Sequence, residues 1–269
     1  MPPEAAEKLD AFFAAFAGGA EPLLLVDYDG TLASFRVNRF VARPWAGVRE
    51  LLKLIQDQKK TRIAVITGRP AAEIAPLLGV DPPLEVWGLH GAERLLPDGR
   101  RELSLAPPAT QAKLEELKQQ LRRDALGGLF EDKANGAVMH WRGHARHRQA
   151  LIEQRTRALF EPLAKLEGLD LLEFEAGLEL RAGRDKGGAV EAILAETRAG
   201  DKPPGPVAYL GDDLTDEAAF RVVNALEGAH LSVLVRRALR ETEAGVWLRP
   251  PEELREFLGR WLEVGSTNR

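Results

Sequence analysis

Two stretches of this chain concentrate carboxylates. Asp27 and Asp29 stand in Asp27-Tyr28-Asp29-Gly30-Thr31, and Asp212, Asp213 and Asp216 in Gly211-Asp212-Asp213-Leu214-Thr215-Asp216-Glu217. Between them lie Thr67, in Ile66-Thr67-Gly68-Arg69, and Lys186, in Asp185-Lys186-Gly187-Gly188. The chain contains 0 Cys and 5 His. Disulfides, thiolate catalysis and a Cys-held metal are therefore excluded. Carboxylates suit a hard cation such as Mg²⁺, which takes oxygen ligands and keeps several waters. Asp27, Asp212 and a backbone carbonyl near Asp29 could hold it. A metal-bound phosphate needs further donors. Lys186 offers a positive charge, Thr67 a hydroxyl, and the Gly30-Thr31 turn free N–H groups. Singly, each feature has a plain reading: Asp-x-Asp as a loop feature, Thr67 as a helix cap, Lys186 as a solvated charge. Their order and position together point to phosphate chemistry.

The elements that must position these groups are legible from pattern. Residues 23–26 and 62–66 are short apolar runs without alternation, as in strands buried on both faces of a parallel sheet. Further strands are predicted at 84–87, 206–210 and 231–235. Helices are predicted at 44–57, from Pro70 onward, at 186–198 and at 250–262. Proline suits a first helical turn. Residues 265–269 read as a frayed tail. Strands alternating with helices predict an α/β fold with a doubly wound, Rossmann-like parallel sheet. Ligands of such sheets bind outside the carboxyl ends of the strands. That rule brings Asp27, Asp29, Thr67, Lys186 and Asp212 to one crevice.

At 269 residues the chain has room for one or two domains of about 150 residues. Residues 91–105 depart from the α/β pattern, with Pro97-Asp98-Gly99 as a turn between two short strands. Residues 106–183 then read as an αββ unit repeated. The first copy is a helix at 109–126 and strands at 129–133 and 137–142. The second is a helix at 146–166 and strands at 170–175 and 178–181. Asn135-Gly136 and Ala176-Gly177 supply the hairpin turns. The reading is an inserted α+β domain at 106–183, with residues 1–105 and 184–269 forming the core domain. Side chains two apart on a strand share a face. Glu131 pairs in this way with Lys133, His140 with Arg142, and Glu179 with Arg181. The opposite face carries Ala137, Met139, Trp141, Leu178 and Leu180, fit to pack on the inserted helices. A polar face without interleaved aromatics suits a polyhydroxylated ligand, and is expected to roof the crevice. A solvated face of charges is the plain alternative.

Charge and hydropathy exclude other classes. The formal net charge is 37 − 41 = −4, against the basic excess of a general nucleic-acid binder. No run reaches the roughly 18 apolar residues of a membrane span. Residues 11–20 follow Glu4, Glu7 and Asp10 and lack a basic leader. Leu9, Phe12, Phe13 and Phe16 instead mark one stripe of an amphipathic helix. The expectation is a cytoplasmic monomer without nucleic-acid or membrane partners.

The four motifs, in this order, resemble those of the haloacid dehalogenase-like (HAD) phosphatase superfamily. That resemblance implies Asp27 as a nucleophile forming an aspartyl-phosphate, and Asp29 as general acid and then base. Asp213 and Asp216 are expected as outer carboxylates that hold metal waters and orient Lys186. An insertion between the second and third motifs implies the larger type of cap domain, which selects the substrate. Glu131-Asp132-Lys133, His140-Trp141-Arg142, Glu179-Leu180-Arg181, Gly88-Leu89-His90-Gly91-Ala92-Glu93 and Tyr209-Leu210-Gly211-Asp212-Asp213 narrow the resemblance to trehalose-6-phosphate phosphatases. It implies a small-molecule sugar phosphate bound by Glu131, Lys133 and Glu179, with His140, Arg142 and Arg181 as further candidates for the sugar or for ordering the cap, and then Arg69 and His90, loop residues that alternatively support the core. Alternatives are a phosphatase for another sugar phosphate (sucrose, glucosylglycerol or mannosylglycerate type), a phosphohexomutase, or a non-catalytic sugar-phosphate sensor. Residues 224–249 carry no recognisable motif.

Overall fold

The structure is a computed structural model that describes residues 3–18, 21–36, 38–104, 106–124, 127–133, 135–174, 176–198 and 205–267. The predicted limits at 20, 105, 126, 175 and 269 lie outside these residues. The chain folds as two compact units, residues 1–102 with 185–269, and residues 103–184.

The first unit is built on an eight-stranded sheet. Its strands are β1 (Leu23–Val26), β2 (Arg62–Ile66), β3 (Glu85–Gly88), β4 (Glu93–Leu95) and β5 (Arg101–Leu103). The second unit contributes β6 (Phe130–Lys133), β7 (Gly136–His140), β8 (Leu169–Phe174) and β9 (Gly177–Ala182). The chain then returns to the first sheet with β10 (Val207–Gly211), β11 (His230–Val235) and β12 (Val246–Leu248). The order in the large sheet is β12-β11-β10-β1-β2-β3-β4-β5. Neighbours from β12 to β3 run parallel, and β4 turns antiparallel to β3.

Helices cover both faces of this sheet, as a parallel sheet requires. They are α1 (Pro3–Ala14), α2 (Val48–Asp57) and α3 (Ala71–Leu78), and, beyond the second unit's α4 (Pro108–Arg123) and α5 (Arg146–Leu163), α6 (Lys186–Arg198), α7 (Glu217–Asn224) and α8 (Glu252–Thr267). Alternation along β1 separates two cores. Leu24 and Val26 join a cluster with residues of α1, α2, α3 and α8, while Leu23 and Leu25 join one with residues of α6 and α7. The stripe of Leu9, Phe12, Phe13 and Phe16 is buried, and its rings meet Phe257 and Trp261 of α8. Among the described residues no helix is long and apolar enough to cross a membrane.

Three elements depart from the sequence reading. The second helix starts at Val48, not at residue 44, because Gly47 before it takes φ +84°, a left-handed conformation incompatible with a helix interior. Pro44 instead bridges to Ala33. The last helix continues to Thr267, so residues 265–267 are not frayed. Gln58 and Lys60 donate to Leu262 and Gly265 carbonyls and to Ser266 Oγ, tying that end down from 200 residues away in sequence. Residues 224–249 contain β12, which adds to β11 in parallel register Val233↔Val246. A strand of three residues is too short to display a period.

The second unit is a four-stranded antiparallel sheet, β6-β7-β9-β8, with α4 and α5 on one face. Ala137, Met139, Trp141, Leu178 and Leu180 are buried against Leu114, Leu117, Leu121, Ile152 and Phe160 from these helices. The alternation expected from sequence sets this face. At the hairpin into β9, Ala176 takes φ +61°.

Candidate active site

β1 lies between β10 and β2, and the register Val26↔Leu210 and Val26↔Val65 brings the three carboxyl ends level. The chain leaves β1 toward β2 on one side and later fills β10 on the other. A crevice opens at such a switch point. Asp27 follows β1 directly and donates its N–H to Leu210 O at 2.8 Å. Thr67 follows β2, Asp212 follows β10, and Lys186 opens α6.

Lys186 is the hub. Its buried Nζ donates to Asp27 Oδ1 and to Asp216 Oδ1, each at 2.7 Å. Burial alone would lower its pKa; Asp216 and Asp27 outweigh that and hold it above the ordinary lysine value. Asp216 is saturated with donors. Its Oδ1 also accepts from Tyr209 OH at 2.6 Å, and its Oδ2 from the N–H groups of Asp212 and Asp213 at 3.0 and 2.9 Å. Sequence reasoning missed this role of Tyr209. Its alternation within a buried strand gave no polar signal.

The opposite holds for Asp27 and Asp212. Asp27 Oδ2 and Asp212 Oδ1 are buried acceptors without a hydrogen-bond partner. Burial, joined by Asp216 for Asp27 and by Asp27 and Asp216 for Asp212, pushes both carboxyls well above the usual carboxylate range against the opposing charge of Lys186. Ligand oxygens of Asp27, Asp212 and Asp216 lie within 4.8 Å of one another. The Asp212 carboxylate presses on Gly30, where a Cβ would come 2.1 Å from Oδ2, so only glycine fits there. Grouped carboxyl groups with unpartnered buried oxygens fit a small hard cation, which would displace their protons. Asp213 is exposed, and its carboxylate caps the turn Leu214–Asp216.

Asp29 is a quarter exposed, and Arg69 Nη1 reaches its Oδ1 at 3.5 Å. Burial raises the Asp29 pKa, with Arg69 opposing. The same guanidinium donates to Arg39 O at 3.0 Å and to Glu73 at 3.3 Å, so Arg69 is committed inside the first unit. Thr67 is buried and its hydroxyl accepts from Arg69 N at 3.2 Å. It is not a helix cap, because α3 begins only at Ala71 with Pro70 before it. Arg236, from the stretch that lacked a motif, donates to Asp212 O at 3.2 Å.

The remaining candidates belong to the second unit. Register places Glu131, Val138 and Glu179 in one row across β6, β7 and β9. Lys133 Nζ reaches Glu179 at 3.1 Å, and His140 Nε2 lies 2.9 Å from Glu131. Arg142 lies beyond the end of β7 and is exposed. The expected absence of aromatics from this face does not hold. The Phe174 ring stands 5.6 Å from the His140 ring and covers Gly177, its register partner. Phe174 ends an edge strand, where one aromatic does not alter the strand's pattern.

The fold is shared with a solved phosphatase of the HAD superfamily. A phosphatase of the haloalkanoate (HAD) enzyme superfamily from Bacteroides thetaiotaomicron superposes with a TM-score of 0.61 at 18% identity, over 91% of this chain and 96% of that one. The trehalose-6-phosphate phosphatase of Aspergillus fumigatus superposes with a TM-score of 0.76 at 24% identity, over 96% and 97% of the two chains. Residues 25–245 match the family model described as trehalose-phosphatase, and the chain belongs to that family. The trehalose-phosphate phosphatase of Mycobacterium marinum is 32% identical over 258 residues, covering 91% of this chain and 63% of that protein. That of Mycobacterium leprae is 30% identical over 250 residues, covering 89% and 57%. The chain thus spans about six tenths of the length of these relatives.

Proposed function

We propose that this chain is a Mg²⁺-dependent phosphatase that hydrolyses trehalose-6-phosphate to trehalose and phosphate. The observation that carries the reading is the Lys186 hub, with one buried cation joining Asp27 to Asp216 beside the orphaned oxygens of Asp27 and Asp212. Family membership supports the choice of substrate. Asp27 and Asp212, with the backbone carbonyl of Asp29, would hold Mg²⁺. Asp213 and Asp216 would act from the outer shell. The cation, when bound, neutralises phosphate charge.

Asp27 attacks phosphorus through a carboxylate oxygen, and the bond from phosphorus to the sugar oxygen breaks. Asp29 gives its proton to the leaving alkoxide. It then takes a proton from water, which attacks the phosphoryl group on Asp27 and frees phosphate and the Asp27 carboxylate. Lys186 and the Thr67 hydroxyl bind phosphoryl oxygens that carry the developing charge. A raised pKa suits Asp29 to this work, since the group must be protonated for the first step. Arg69 is assigned to the phosphate end of the substrate. The second unit serves as the substrate-specificity domain, with Glu131, Lys133, His140, Arg142 and Glu179 on the sugar. The reading has the protein act as a cytoplasmic monomer.

A panel of phosphosugars with Mg²⁺, scored for free phosphate and for isomerised product, tests this. Trehalose-6-phosphate should give phosphate at the highest kcat/KM. Isomerised hexose phosphate without phosphate release would instead establish a mutase.

Glu131→Ala tests the sugar assignment. A hydrogen bond to a charged group contributes about 1.5–3 kcal/mol, so kcat/KM for trehalose-6-phosphate should fall roughly 10- to 150-fold. Turnover of para-nitrophenyl phosphate, which lacks a sugar, should hold within about threefold of the parent, since Glu131 makes no contact with it. Equal losses on both would assign Glu131 to the fold.

Metal binding should be linked to pH. The raised pKa values of Asp27 and Asp212 mean that the metal-free site retains protons which a cation must displace. Raising the pH removes that competition, so Mg²⁺ should bind more tightly at pH 8 than at pH 6. At one hundred times Kd, binding adds about 2.7 kcal/mol, a rise in Tm of roughly 5–10 °C for a chain of this size. Melting curves of chelator-treated protein with and without Mg²⁺ at the two pH values measure it. Identical curves would remove the metal from the reading.

A further inference from the structure

The turn after β3 is strained and contacts two parts of the candidate site. Leu89 and His90 take φ +50° and +59° in succession, a conformation that bulky L-residues seldom adopt. Such outliers persist where surrounding structure enforces them. On one side the turn is laced to the loop after β2. His90 N donates to Thr67 O at 2.8 Å, Leu89 N to Arg69 O at 3.0 Å, and Thr67 N to Trp87 O at 2.8 Å. The His90 ring lies on Gly68, so close that a Cβ there would meet Nε2 at 2.6 Å. On the other side Gly91, at φ +109°, lies against the start of α6. A Cβ there would come 3.0 Å from Asp185 O and 2.7 Å from Ala189 Cβ. Asp185 immediately precedes Lys186.

We propose that His90 is a positioning residue, whose ring braces the Thr67–Gly68 turn while its own turn sets that loop against the α6 start that carries Lys186. This rests on the reading of Thr67 and Lys186 as phosphate-binding groups. Two donors that reach one phosphoryl group from separate elements need a fixed spacing. A bridge of backbone bonds and a ring packed on a glycine supplies it, and the left-handed backbone aims the ring.

His90→Gly isolates the ring, because glycine takes φ +59° without strain. His90→Asn is the companion, since Asn tolerates the left-handed region and is too short to cover Gly68. Both variants should raise hydrogen exchange of the Thr67–Arg69 amides at least about tenfold, with β2 unchanged. Displacement of a positioned group by about 1 Å costs up to a factor of about 100. On trehalose-6-phosphate and para-nitrophenyl phosphate alike, kcat should fall about 10- to 100-fold while KM stays close to the parent value. Unchanged exchange, or parent kcat with only a lowered Tm, would reduce His90 to space filling. If the parent chain turns over neither ester, the reading of the site fails, while the exchange data still decide the brace.

Discussion

Asp27→Asn should abolish turnover on every phosphate ester and leave the fold intact. The expected loss in kcat is on the order of 10⁴–10⁶-fold, the range seen when a covalent nucleophile is removed. Asn preserves the shape of the side chain and its amide oxygen can accept from Lys186. It lacks the charge that is proposed to attack phosphorus and to draw a cation to the orphaned Oδ2. Burial already disfavours that charge in the parent, so Tm should hold or rise. Turnover and melting temperature measured together separate this from unfolding. Turnover near the parent level would end the proposed mechanism.

Lys186→Met should cost both stability and activity. It removes the buried cation from two carboxylates that it contacts at 2.7 Å. Breaking a buried ion pair from one side costs about 3–5 kcal/mol, which for this size of chain lowers Tm by roughly 6–20 °C. The sign of the pH dependence follows from Asp27 and Asp212. Their pKa values are raised by burial, so both take up protons as pH falls, and the uncompensated charge shrinks. The Tm deficit of the variant should be larger at pH 8 than at pH 5. In kcat, loss of a charge proposed to stabilise the phosphoryl group should cost at least about 10²–10³-fold. A variant as stable as its parent at pH 8 would show that the carboxylates do not depend on Lys186.

How far the sequence carried depended on the range of the interaction. Asp27, Thr67 and Asp212 are legible because each ends an uninterrupted apolar run, and a strand buried on both faces has that local signature. The second unit's helix-facing row from Ala137 to Leu180 is legible for a similar reason, since alternation is a property of neighbours. Tyr209 and Arg236 were not. Tyr209 reads as one more buried strand residue, and Arg236 sits in a loop whose partner, Asp212, is 24 residues away. Gly47 shows a third case, where one left-handed residue moved a helix start that periodicity alone had placed earlier.

By itself, then, the sequence determined the alternating α/β core and the residue types gathered at the strand ends, because both follow from local pattern. Tertiary structure alone decided how each carboxylate is hydrogen-bonded. Lys186 and Asp27 are 159 residues apart and meet only because β1 pairs with β10 and α6 packs beside them. That packing directs two backbone N–H groups, a phenol and an ammonium onto Asp216, and leaves Asp27 and Asp212 with bare oxygens. Hydrogen-bond saturation depends on distances of a few tenths of an ångström between distant segments. No linear pattern of residues carries that information.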